Sequence, residues 1–184
     1  LMAKILITLL TLLIILAKII KNIVVRGSLM KTTKADVIQT AADIADKNGL
    51  SNVSLKVVAE SLNIRTPSLY NHIDSLESLL REIAHNGMKT MNERMMQAAI
   101  GKIGDDAVKS VGITYLDYMI EHPGIYETIQ WATWHGTEET GKIFDNYLSL
   151  LKTLALSCNF NPVNIDEILN LLTGVLHGYT TLQL

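Results

Sequence analysis

Cysteine occurs once in this chain, at Cys158, and proline only three times. A lone thiol excludes an internal disulfide and a thiolate metal cluster, and it suits a reducing compartment. Pro67, Pro123 and Pro162 stand far apart, and no Gly/Ser tract or block of like charge occurs, so nothing reads as disordered. An excess of positive charge is missing too. Sixteen Lys and Arg face eighteen Asp and Glu, a formal net charge of −2, which does not advertise a nucleic-acid partner. No segment alternates with period two between hairpin turns, so a sheet is not expected. Neither a Ser-centred elbow nor a Gly-rich phosphate loop is present. None of the five histidines stands four residues from another. The nearest cluster, His135 with Glu138 and Glu139, reads as helix capping. No catalytic residue, cofactor or metal is therefore expected.

The residues that are present are apolar and periodic. Hydrophobic residues make up 48% of 184, enough for one compact core. Their spacing is helical along most of the chain, so the fold class is all-α. The first residues, LMAKILITLLTLLIILAKIIKNIVV, form an apolar leader over 1–29 that ends before Met30. Its uninterrupted part is shorter than the roughly 20 residues that span a bilayer, and Lys18 and Lys21 break up the apolar residues after it. It reads as an anchor, as a helix of the fold, or as an upstream stretch translated in frame. The last is favoured, because the chain begins with Leu and Met30 opens an ordinary start, Met-Lys-Thr-Thr-Lys.

Beyond Met30 a series of helices is expected. Thr33 and Asp36 fit a capping box ahead of Val37, Ile38, Ala41, Ile44 and Ala45, with Gly49 as the stop. Ser54 caps a second helix that buries Val57, Val58, Ala59 and Leu62. Asn63 suits a tight turn, and Thr66 with Pro67 opens a short third helix running to about Ile73. A fourth begins after Asp74 or Ser75 and ends near Ile100. Others cover Asp105 to Glu121, about 125–134, Thr137 to Ser157, and from Val163 onward, still apolar at Leu184.

Two short helices joined by a turn of three or four residues make the helix-turn-helix that reads DNA. The third helix is polar where a core helix would be apolar, and side chains that read base edges must form hydrogen bonds. Thr66, Ser68, Tyr70, Asn71 and His72 are therefore candidate readers. Ser54 could meet a phosphate, and Lys34, Lys56 and Arg65 would have to supply the positive charge. A solvated connector would show the same spacing.

The stretch from Val53 to Ile73, above all Val58-Ala59-Glu60 and Ser68-Leu69-Tyr70-Asn71-His72, resembles the DNA-binding domain of the TetR/AcrR family of bacterial regulators. The resemblance implies phosphate contacts from Tyr70 and His72, and places Arg65, Thr66, Pro67, Ser68 and Asn71 at or near the bases. A phosphate-contacting Lys opens the family's fourth helix, where this chain has Leu76. Leu176-His177-Gly178-Tyr179 resembles the dimerisation helix of the WHG-type C-terminal domain. Members normally continue for one more helix, so the C-terminus is expected to be truncated.

The expected organisation is a helix-turn-helix domain at 30–80 and a ligand-binding, dimerising domain at 81–184. Met88, Met91, Tyr115, Tyr118, Trp131, Trp134 and His135 are the candidate ligand residues, since Met and aromatic side chains line irregular apolar cavities. The function expected is a cytoplasmic repressor, homodimeric through its C-terminal helices, that binds a palindromic double-stranded operator and responds to a small apolar or amphipathic inducer. The alternative is a helical interaction protein anchored in a membrane through residues 5–25 that does not bind DNA.

Overall fold

Thr33 and Asp36 close the capping box that the sequence signals. The Thr33 hydroxyl accepts from the Asp36 N–H at 3.2 Å, and the Asp36 carboxylate accepts from the Thr33 N–H at 2.8 Å. These bonds start α1, Lys34–Asn48, in a computed structural model that describes residues 32–158 and 162–184. The apolar leader, the Met30 start and the anchor at residues 5–25 lie outside the described residues. Gly49 ends α1 at φ +84°, a backbone angle that side-chain-bearing residues avoid. A 3-10 turn, Leu50–Asn52, absent from the sequence expectations, leads into α2, Leu55–Ser61, and α3, Thr66–Leu69.

Ser75 and Ser78 form a second capping box ahead of α4, Leu76–Ala99. This is the central helix. It buries Leu79, Ile83, Met88, Met91 and Met95, and it packs against α1 and against three later helices: α5, Gly104–Glu121; α6, Pro123–His135; and α7, Glu138–Ser157. A 3-10 turn at Pro162–Asn164 precedes α8, Ile165–Gln183, which lies on α5 and α7. The described residues are thus all-helical, with no strand among them. None of these helices is long and apolar enough to cross a membrane.

α6 begins two residues earlier than its sequence pattern suggested, and a contact remote in sequence explains why. The Asp46 carboxylate, near the end of α1, accepts from the Ile125 N–H at 3.0 Å and meets His122 Nδ1 at 2.8 Å. It caps the positive end of the α6 dipole. Pro123 fits this position because the first N–H groups of a helix have no internal partner to lose. Glu127 reciprocates, accepting from the Leu50 N–H at 2.9 Å. At Gly124 the helices meet backbone to backbone: a Cβ there would lie 2.1 Å from the Ala45 carbonyl carbon. Two carboxylates and one glycine thus clasp α1 to α6.

Candidate nucleic-acid interface and body cavity

Val58 and Ala59 on α2, with Leu69 and Ile73 around α3, form the buried seam of the helix-turn-helix. Ala59 leaves room for the turn, whose Ile64 N–H bonds back to the Ala59 carbonyl at 3.0 Å. Asn63 takes φ 54° there, the left-handed conformation that asparagine tolerates. The Ser54 hydroxyl caps α2 by accepting from the Val57 N–H at 3.3 Å, which leaves its own hydrogen for another acceptor. α3 differs from expectation in two details. Arg65, not Thr66, occupies the N-cap position, with no side-chain cap, and the α-helix proper ends at Leu69. Past that point the chain keeps turning through i to i+3 bonds, Asn71 N–H to Ser68 O at 3.3 Å and His72 N–H to Leu69 O at 2.8 Å.

With Leu69 wholly buried, the polar side of this turn faces out. Arg65, Pro67 and Asn71 are exposed, Tyr70 is 57% exposed, and Thr66, Ser68 and His72 are half-buried. Asp36 is held below the ordinary carboxylate range mainly by its bonds from Thr33. Charge on this face is largely balanced. Lys34 pairs with Glu82, and Lys56 lies 4.0 Å from Glu60. Arg65 has no ion pair among the described residues. Leu76, where the family places a lysine, is half-buried and packs on the core.

In the body, a cavity of about 380 Å³ opens between α4, α5, α6, α7 and α8. Met88, Met91, Met119, Ile129 and Phe144 give it an apolar wall, and Tyr115 and Tyr147 stand beside them. Burial pushes both phenols above the usual tyrosine range, so both are neutral donors. The facing side is polar and comes mainly from α8. Asn170, Thr173 and His177, spaced i, i+3, i+7, share one side of that helix.

On the flank of the body, His85 of α4 is buried, with Nε2 2.8 Å from the Thr140 hydroxyl. Removal from water holds its imidazole below the usual histidine range, against the pull of Glu139. The unfolded chain therefore binds this proton more readily than the folded one. The associated stability is present above about pH 6.5 and drains as the pH falls through the lower folded value. Thermal melts at pH 7.5 and 5.5 should show a pH-dependent loss of Tm that His85→Gln reduces. An unchanged pH dependence in the variant would count against the assignment.

YobS, an HTH-type transcriptional regulator of Bacillus subtilis (strain 168), is 30% identical over 151 residues, spanning 82% of this chain and 78% of YobS. Among solved structures, a regulatory protein of the tetR family from Rhodococcus RHA1 matches with a TM-score of 0.67 at 16% identity, over 80% of this chain and 83% of that one. BioQ with its double-stranded DNA operator matches at 0.62 and 17%, over 82% and 86%. The chain belongs to the TetR family of helix-turn-helix transcriptional regulators. No protein-family model matches it. As a TetR-family protein it is a DNA-binding regulator and not an enzyme.

In this TetR-family regulator the residues singled out for DNA lie together around α2 and α3, apart from Lys34 at the start of α1. Those singled out for a ligand divide. Met88, Met91 and Tyr115 line the body cavity, and four others lie outside it. Tyr118 turns toward the Arg94 guanidinium, 4.8 Å from its ring centre, and toward His122. Trp131 stacks on His135 at 4.5 Å, and Trp134 is 86% exposed. The α6 positions that face inward are Ile125, Ile129 and Ala132, so Trp134, two residues beyond Ala132, falls on the opposite side. Asn170, Thr173, His177 and Gln130 were missed as cavity residues. The signal for Asn170, Thr173 and His177 is a polar stripe at helical spacing along α8; Gln130, on α6, belongs to no such stripe.

Proposed function

We propose that this TetR-family protein is a repressor that binds a palindromic operator as a homodimer and lets go when a small molecule enters the body cavity. Residues 30–80 act as the reading head and 81–184 as the sensing and dimerising body. Support for the reading head comes from one observation: Leu69 and Ile73 fasten α3 from beneath, which leaves Arg65, Tyr70 and Asn71 facing outward. The side chains of α3 and Asn71 contact base edges, and Arg65, Tyr70, His72, Ser54, Lys34 and Lys56 contact phosphates. Acting on chromosomal DNA places the protein in the cytoplasm.

Pairing through α8 is supported by its outward stripe. Leu171, Val175 and Leu182 are 67%, 60% and 82% exposed and recur at helical spacing. A second copy would cover them and set two heads about 34–36 Å apart, one turn of DNA. Ligand binding would favour a body conformation with another spacing, and operator affinity would fall.

A gel shift of the full chain with its upstream intergenic DNA tests the reading. The expected result is a salt-sensitive complex with one dimer per site. No shift at low salt rejects it. Val175→Asp carries the dimer proposal: light scattering should show a monomer with an unchanged helical spectrum, and the gel shift should weaken at least about tenfold. A dimer that survives this charge moves the interface elsewhere.

A further inference from the structure

We propose that the body cavity selects an uncharged, mainly apolar molecule bearing a hydrogen-bond acceptor, and that His177 binds that acceptor. This rests on the ligand-responsive reading above and names the chemistry of the ligand.

Among the described residues, no Lys, Arg, Asp or Glu lines the cavity. Other hollows of the described surface differ. One between α4 and α7 is lined by Lys89 and Glu93, and one between α1 and α4 by Arg94. An ion entering the body cavity would shed water and meet no opposite charge, which is costly. A neutral apolar body meets Met88, Met91, Met119, Ile129, Phe144 and Leu148 instead. The thioethers and rings there accommodate irregular shapes.

Hydrogen-bond bookkeeping identifies the head group. His177 Nδ1 lies 2.8 Å from the Tyr126 hydroxyl and 3.3 Å from Gln130 Nε2. An amide nitrogen can only donate, so Nδ1 is the acceptor and the ring hydrogen sits on Nε2. Tyr126 therefore donates its hydroxyl hydrogen to Nδ1, and its oxygen accepts from the Thr181 hydroxyl at 2.8 Å. Tyr126, Gln130 and Thr181 thus fix the orientation of the imidazole and its tautomer. His177 is left with one N–H donor, which suits a carbonyl or ether oxygen. Asn170 and Thr133 on the same wall can accept from a ligand that also donates.

The test uses the full chain and displacement of the neutral dye Nile red, read by fluorescence. The competitors are four ten-carbon probes: 2-decanone, decane, decanoate and decylammonium. The expectation is that 2-decanone competes at least about tenfold more strongly than either ion and several-fold more strongly than decane. His177→Leu should erase the advantage over decane and leave decane itself unchanged. Equal competition by an ion, or by decane, in the unaltered protein overturns the proposal, as does failure of all four to compete. The probe comparison needs no variant, so a misfolded His177→Leu protein does not shield it. A gel shift with the same probes separates the two readings. If 2-decanone binds without releasing DNA, the selectivity stands and the ligand-response reading fails. If an ion releases DNA and 2-decanone does not, the reverse holds.

Discussion

Replacing Gly124 with alanine is expected to cost about 3–5 kcal/mol of stability. The new Cβ would lie 2.1 Å from the Ala45 carbonyl carbon and 2.4 Å from both the Ala45 oxygen and the Asp46 nitrogen. All three are backbone atoms, so no rotamer change relieves the overlap, and α1 must move off α6. Overpacking alone costs about 1–3 kcal/mol. Moving α1 also stretches the bonds of Asp46 to His122 and the Ile125 N–H, and that of Glu127 to the Leu50 N–H. Hydrogen bonds to charged groups are worth about 1.5–3 kcal/mol each, and part of that is lost. In a protein of this size the melting temperature should drop by roughly 6–20 °C, followed by far-ultraviolet circular dichroism. A variant melting within about 2 °C of the parent would mean that the helices separate at little cost. By contrast, Gly141→Ala, with nothing within 4 Å of the added atom, is the matched control on a helix surface and should be neutral or slightly stabilising.

The clasp also shows where sequence reading stops. Capping boxes, turns and buried stripes involve residues within a few positions of each other, so the Thr33–Asp36 box, the Ser54 cap and the Asn63 turn were legible. Asp46 and His122 are 76 residues apart. Nothing local marks Asp46 as the cap of a helix on another part of the chain, or His122 as its partner. The cavity was legible by halves for a related reason. Methionine and tyrosine types suggested its wall, but residue type does not say which way a side chain points. The period of α6 did carry that information, and it excludes Trp134 from the wall once Ile125, Ile129 and Ala132 are taken as the inner stripe. In α8 the outer side is the more apolar one in places, so a simple inside-apolar rule would invert the helix. Thr180 is fully buried while Leu182 is 82% exposed. A helix with an apolar outer stripe and a polar inner one is consistent with a partner on one side and a ligand on the other.

The proposed reading face carries the second large effect, on DNA affinity. Arg65→Ala should weaken binding to every DNA sequence by a similar factor. It should also reduce the slope of log affinity against log salt by about one for each head. Asn71→Ala should act differently. An asparagine that bonds a base edge discriminates by about 1–3 kcal/mol, and a homodimer loses that twice, so operator affinity should fall by about 30-fold or more with the salt slope unchanged. The balanced charge of the head makes this contrast sharp. Lys34 and Lys56 already face Glu82 and Glu60, so Arg65 contributes an unusually large share of the net phosphate attraction. Neutralising a partner acid should push the other way: Glu60→Gln releases Lys56, raising affinity for any DNA and steepening the salt slope. Fluorescence anisotropy at several salt concentrations, with operator and scrambled duplexes, separates the three variants. Equal losses on both duplexes for Asn71→Ala would move base reading to the residues of α3 itself. An unaltered salt slope in Arg65→Ala would remove that side chain from the phosphate contacts.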